Sequence, residues 1–234
     1  MNQTSNRRDA LAAIALASSG AALGGAGLLQ PAKAATANIA KAGRIDVHNH
    51  MVPPAFVPYI KAGGMYAPSL QMWSPAYAIE TYDKFGIATG IASLTNPKHF
   101  PEGAEMRKLA RDCNEYAARL MSDHPGRFGS FATLPLPDID ATLKEIEYAF
   151  DTLKVDGVYI WTNYDNVWMG DPKWNPVWDE LNRRKAVIYT HPRSASCCGN
   201  PPIAVDEIPI DWQTDTTRAI ANTIVSGTAL KYPD

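Results

Sequence analysis

Cysteine is scarce: the 234 residues hold three, of which Cys197 and Cys198 are adjacent and Cys113 lies inside a helical pattern. A bridge between neighbours is strained, so a disulfide framework is excluded and free thiols are expected. A dominant charge is also lacking. The formal net charge is -2 and no basic stripe or basic-aromatic interleave runs along the chain, so nucleic acid is not an expected partner. Long runs of large aliphatic residues are missing as well. The uncharged stretch Ala10 to Leu29 is mainly Ala, Gly, Ser and Leu, contains four glycines, and is not followed by a basic stop-transfer flank.

That stretch has another reading. Arg7-Arg8 precede it and Ala32-Lys33-Ala34 supplies a small-x-small cleavage site, the pattern of a twin-arginine export signal over residues 1–34. The expected location is therefore the periplasm, with no stable membrane span once the signal is cleaved. Arg7, Arg8, Lys33 and Asp9 leave with the leader, which moves the formal charge from -2 to -4. Residues 35–234 are long enough, in a chain with 46% hydrophobic residues overall, to bury one core as one domain.

Within that domain strands and helices alternate. Ser74-Pro75 offers an N-cap and a first-turn proline for a helix through Lys84, and Gly86 stops it before an apolar run from Ile87 to Leu94. A helix over Glu102 to Ser122 leads to a strand from Arg127 to Leu134. Asp138 caps a helix to Leu153, Val155 to Trp161 is the next strand, and a helix over Trp174 to Arg184 precedes a strand from Ala186 to Thr190. Asp211 to Leu230 reads as one further helix. With Arg44 to Val47 as the first strand this makes five, in the order of a parallel α/β barrel of the TIM (β/α)8 type. A closed barrel needs eight strands and about 250 residues, so the expected fold is an incomplete barrel of about the first five strands and their helices.

The chemistry concentrates at two strand ends. In Arg44-Ile45-Asp46-Val47-His48-Asn49-His50, side chains two apart share a face, so His48 and His50 stand side by side while Ile45 and Val47 point the other way. His191 closes the run Val187-Ile188-Tyr189-Thr190. Parallel strands in one barrel bring all three imidazoles to the carboxyl-terminal face, as a divalent metal site with positions open for water or substrate. His124 reads as a helix-terminal residue and His99 as a loop residue beyond the second strand. Trp174 and Trp178 read as helix-packing residues.

The RIDVHNH strand, the His191-Pro192 strand end and the Asp215-Thr216-Thr217-Arg218-Ala219-Ile220 segment together resemble the amidohydrolase superfamily. The resemblance covers residues 44 to 234. It points to the branch of metal-dependent decarboxylases named for aminocarboxymuconate-semialdehyde decarboxylase, near the 6-methylsalicylate and hydroxybenzoate decarboxylases. It implies His48, His50 and His191 as metal ligands for one divalent ion, zinc ahead of manganese. It also implies a catalytic His after a sixth strand and an Asp after an eighth, positions expected beyond residue 234. Binuclear members use a carboxylated lysine on the fourth strand, whereas Val158-Tyr159-Ile160-Trp161-Thr162-Asn163 has none, so a mononuclear site is expected.

The expected activity is non-oxidative decarboxylation of an aromatic or unsaturated carboxylic acid, a small-molecule partner, with Trp161 stacking on it and Arg193 meeting its carboxylate. Two other readings stand beside it. One is a metal-dependent hydrolase of lactones or amides, and the other an inactive fragment with a bare fifth-strand edge. A homodimer is compatible with all three.

Overall fold

The computed structural model describes residues 43–63, 67–96, 100–196 and 208–234. The leader over 1–34, His99, Cys197 and Cys198 lie outside the described residues. Strand β1 (Arg44–His50) leads through helices α1 (Val57–Ala62), α2 (Pro68–Gln71) and α3 (Pro75–Phe85) to β2 (Ile87–Ser93). Helix α4 (Gly103–Asp123), β3 (Phe128–Thr133), α5 (Ile139–Tyr148) and β4 (Gly157–Trp161) follow. A hairpin of β5 (Asn163–Tyr164) and β6 (Val167–Trp168) precedes α6 (Asn175–Arg184) and β7 (Val187–His191). Helices α7 (Gln213–Val225) and α8 (Thr228–Lys231) come last.

Strands β1, β2, β3, β4 and β7 form one parallel sheet in that order, the half-barrel that the alternation of elements predicts. Local chemistry sets the boundaries. Ser74 accepts a hydrogen bond from the Tyr77 amide and Pro75 opens α3, while Gly86 at φ 68° ends it. Asp138 caps α5 through the Ala141 amide. Strands β3 and β4 are buried along their whole length, as expected of parallel strands covered by helices. Cys113 is a buried free thiol on α4, as its helical setting suggests.

A polar knot ties two helices to the sheet. The fully buried Asn114 of α4 donates to the Thr133 carbonyl at 2.9 Å and accepts from the Thr133 amide at 2.8 Å. It also donates to Glu145 of α5, which Arg111 grips at 2.8 Å. The Asn114 amide and the Thr133 backbone groups are thereby satisfied, while the Thr133 hydroxyl stays buried without a partner.

Three features depart from the sequence expectation. The helix expected over Asp211 to Leu230 is interrupted at Ser226-Gly227, because Gly227 takes φ 78°, a conformation that ends one helix and begins another. The β5–β6 hairpin turns at Asp165 and Asn166, both at positive φ, in a segment too short for periodicity to reveal. In β1 the strict alternation is broken: Asp46 pairs with Gly90 but Asn49 with Ala92, so one extra residue bulges between them. No helix among the described residues is long and apolar enough to cross a membrane.

Asn114→Ala is expected to cost roughly 3 kcal/mol, since it strands the Thr133 backbone groups and one Glu145 oxygen in a buried site. Chemical denaturation checks this, and a loss under 1 kcal/mol would show that the knot contributes little.

Candidate metal centre

Strands β1 and β7 are the two edges of the sheet, and their carboxyl ends carry the three histidines. The sheet curls enough to bring these edges face to face. The ring centroids lie 5.0 Å apart for His48 and His50, 5.3 Å for His48 and His191, and 5.1 Å for His50 and His191. One ligand nitrogen from each falls within 4.8 Å of the others.

The geometry of the donors fits a metal. His48 Nε2 and His50 Nε2 are 3.2 Å apart. Two nitrogens bound to one tetrahedral ion at ordinary Zn–N lengths sit about 3.3 Å apart. The second nitrogens are occupied elsewhere: His50 Nδ1 faces Ser93 Oγ at 3.4 Å and His191 Nδ1 faces the Pro192 carbonyl at 2.9 Å. That pairing places the His191 proton on Nδ1 and leaves Nε2 as the free lone pair. Burial lowers the pKa of His50 to about 3, helped by the neighbouring His191 and His48. Burial likewise lowers His191 to about 4, against the opposing pull of the Pro192 carbonyl. Both are neutral near pH 7, the form that binds a metal ion.

Supporting residues set the ring positions. The β1 bulge is closed by Asp46, whose carboxylate accepts the His48 amide at 3.0 Å. Asn49 turns the other way and donates to the Tyr82 hydroxyl at 2.5 Å. Gly90 makes that contact possible, because a Cβ there would overlap both Asn49 and the Tyr82 ring. Ile45 and Val47 also turn away from the histidines, and both are exposed.

The remaining walls are aromatic. Trp161 pairs in register with His191 and meets its ring edge-on at 5.4 Å, and Tyr189 meets His48 at 5.7 Å. Tyr159 and Tyr189 stand two residues before Trp161 and His191, so the period of two that selects the histidines selects them too. Trp161 is buried, yet it forms one wall of a cavity of about 360 Å³ together with Phe100, Tyr164 and the half-buried Arg193. Trp161 and Arg193 therefore line one cavity together; the three histidines are not among its lining residues, and the Trp161 ring connects it to His191. His124 terminates α4, as expected, and is remote from these groups in the fold; Trp174 and Trp178 pack α6 and the hairpin into the core.

A curled parallel β/α sheet with a His-x-His pair on its first strand and a third imidazole on its last defines the class of barrel proteins that gather a divalent ion at the strand ends. The chain belongs to the amidohydrolase family, whose model it matches over residues 45–234. It is 40% identical over 210 residues to decarboxylase yanB of Aspergillus niger, covering 82% of this chain and 56% of that protein. It is 34% identical over 200 residues to a 6-methylsalicylic acid decarboxylase of Penicillium expansum, covering 81% of this chain and 61% of that one. Among solved structures, a dihydroxybenzoic acid decarboxylase of Polaromonas with bound manganese superposes with a TM-score of 0.67 at 19% identity. That match covers 82% of this chain and 63% of the other, and shows a shared fold. The chain thus spans about three-fifths of the length of the curated relatives it matches.

Depressed histidine pKa values carry a definite sign. Between pH 6.5 and 5 the unfolded chain takes up protons on His50 and His191 while the folded chain does not, so the metal-free protein loses stability as the pH falls. Denaturant midpoints at pH 7.5, 6.5 and 5.0 should fall in that order, and replacing both histidines by Gln should flatten the trend. An unchanged slope in the double variant would mean that other groups carry it.

Proposed function

We propose that this site serves the metal-dependent, non-oxidative decarboxylation of a hydroxylated aromatic acid of the 6-methylsalicylate kind. The observation that carries the reading is a cavity lined by Trp161 and Arg193, whose Trp161 ring also packs edge-on against His191. A flat anion entering it would meet the Trp161 ring and the Arg193 cation, with Glu102, Asp138 and Asp165 elsewhere on the wall, and Trp161 is the residue that links this cavity to His191. The ion, zinc ahead of manganese, would be held by His48, His50 and His191 and would supply Lewis acidity toward the carboxylate and a neighbouring hydroxyl. Arg193 would pair with the carboxylate; a proton added to the ring carbon that bears it takes the carboxylate's place as the C–C bond breaks, its electron pair returning to the ring and carbon dioxide leaving.

The similarity to named decarboxylases supports this reading for the reaction type. The proton donors that the family resemblance implies, a His and an Asp, are not among the residues gathered at this site. The Arg7-Arg8 leader supports export to the periplasm by the twin-arginine route, with residues 35–234 as the working domain.

The first test pairs metal content with carbon dioxide release from 6-methylsalicylate and 2,6-dihydroxybenzoate. One equivalent of metal and release of carbon dioxide are expected, with the metal lost in His48→Ala and His191→Ala. Arg193→Gln should raise KM about tenfold with a smaller change in kcat, which marks a group that binds substrate. Hydrolysis of lactones or amides without carbon dioxide release would overturn the decarboxylase reading, and metal-bound protein inert toward both would mark a binding remnant.

A further inference from the structure

Asp215 is 1% exposed on α7, and its carboxylate is satisfied by three uncharged donors. Trp168 Nε1 donates to Oδ1 at 2.7 Å. Asn163 Nδ2 donates to Oδ2 at 2.7 Å, and the Thr162 hydroxyl donates to the same oxygen. Thr162 and Asn163 are themselves buried and directly follow β4.

The same two side chains hold the backbone that follows His191. The Arg193 amide donates to Thr162 Oγ1 at 3.1 Å, and the Arg193 carbonyl accepts from Asn163 Nδ2 at 3.0 Å. A third link runs from the Thr162 amide to the His191 carbonyl at 3.0 Å. A threonine hydroxyl has one proton. Given to the Asp215 carboxylate, in preference to the Arg193 carbonyl 3.4 Å away, that proton leaves the oxygen's lone pair for the Arg193 amide. Asp215 thereby fixes the direction of a relay that ends at Arg193.

We infer that Asp215 is a positioning residue, acting through Thr162 and Asn163 to hold the His191-Pro192-Arg193 turn so that a metal ligand and a substrate-binding cation keep their places. The inference rests on the reading of His191 and Arg193 given above. The carboxylate touches neither the imidazoles nor the cavity, and its effect reaches them only along this relay. Such outer partners of a metal ligand commonly account for 10- to 100-fold in metal affinity.

Amide hydrogen exchange on the metal-free chain and titration with cobalt(II) alone provide the test. In Asp215→Ala the Arg193 amide should exchange at least tenfold faster while the amides of β1 to β4 keep their protection, and cobalt affinity should fall 10- to 100-fold. The isosteric Thr162→Val, which breaks the relay at its middle, should weaken cobalt binding by a similar factor, and the double variant should be no worse than either single one. Trp168→Phe, which removes the arm that leads away from Arg193, should leave Arg193 exchange within threefold of the parent. A general structural role would instead speed exchange throughout the sheet and give additive losses, and that result, or unchanged Arg193 exchange in both relay variants, overturns the inference. If Asp215→Ala does not fold, Thr162→Val and Asp215→Asn decide between the same outcomes. Failure of the parent chain to take up cobalt would count against the metal centre, while Arg193 exchange would still decide the relay.

Discussion

The site depends on the curl of the sheet. Four interstrand steps of about 4.8 Å separate β1 from β7, so a flat sheet would hold their histidines almost 20 Å apart. The imidazoles instead sit with centroids 5.1 to 5.3 Å apart across that span. Aromatic packing fills the concave side: Phe131 stacks on Tyr189 at 5.3 Å, and Tyr159 on Tyr189 at 5.8 Å. Gly157 leaves room for this, because a Cβ there would press on both Phe131 and the Val187 backbone. Strand twist, small residues at the crowded points and large rings within the curve together impose a geometry that no single strand contains.

The same curl explains the electrostatics. Three acceptor nitrogens gathered in a partly buried space cannot all be protonated, and desolvation drives His50 and His191 to the neutral form. Neutral lone pairs facing one point are costly without a cation and favourable with one, which is how a fold prepares a metal site before the metal arrives. The hydrogen bonds at Ser93 and Pro192 select which nitrogen faces inward. Asp46 and Asn49 fix β1 from opposite sides, so the bulge aims the two rings at one point instead of distorting the strand.

Family membership and geometry support each other at different levels. The match over residues 45–234 establishes descent and fold. The convergence of His48, His50 and His191, with Trp161 packed on His191, gives that descent chemical content, since fold alone is shared by many activities. Because the chain spans about three-fifths of those relatives, the reaction itself stands as a proposal.

Much of this was legible in the residues. Capping signals at Ser74-Pro75 and Asp138, the stop at Gly86, and apolar runs of strand length set the order of elements, because these depend on contacts within a few residues. The His-x-His spacing placed two ligands together for the same local reason, and only parallel topology was needed to predict the third. The helix break at Gly227 was hidden inside a continuous helical pattern, since one glycine carries no sign of which conformation it will adopt. Asp215 was visible within a distinctive helical segment, yet its donors Thr162, Asn163 and Trp168 stand 47 to 53 residues away and nothing local couples them. The sequence by itself determined the strands, the helices and the ligand types, because backbone sterics and side-chain period act over short range. Only the tertiary structure decided that the histidines of two opposite sheet edges converge, which nitrogens are free, and what holds Arg193, because those follow from curvature and burial summed over the whole sheet.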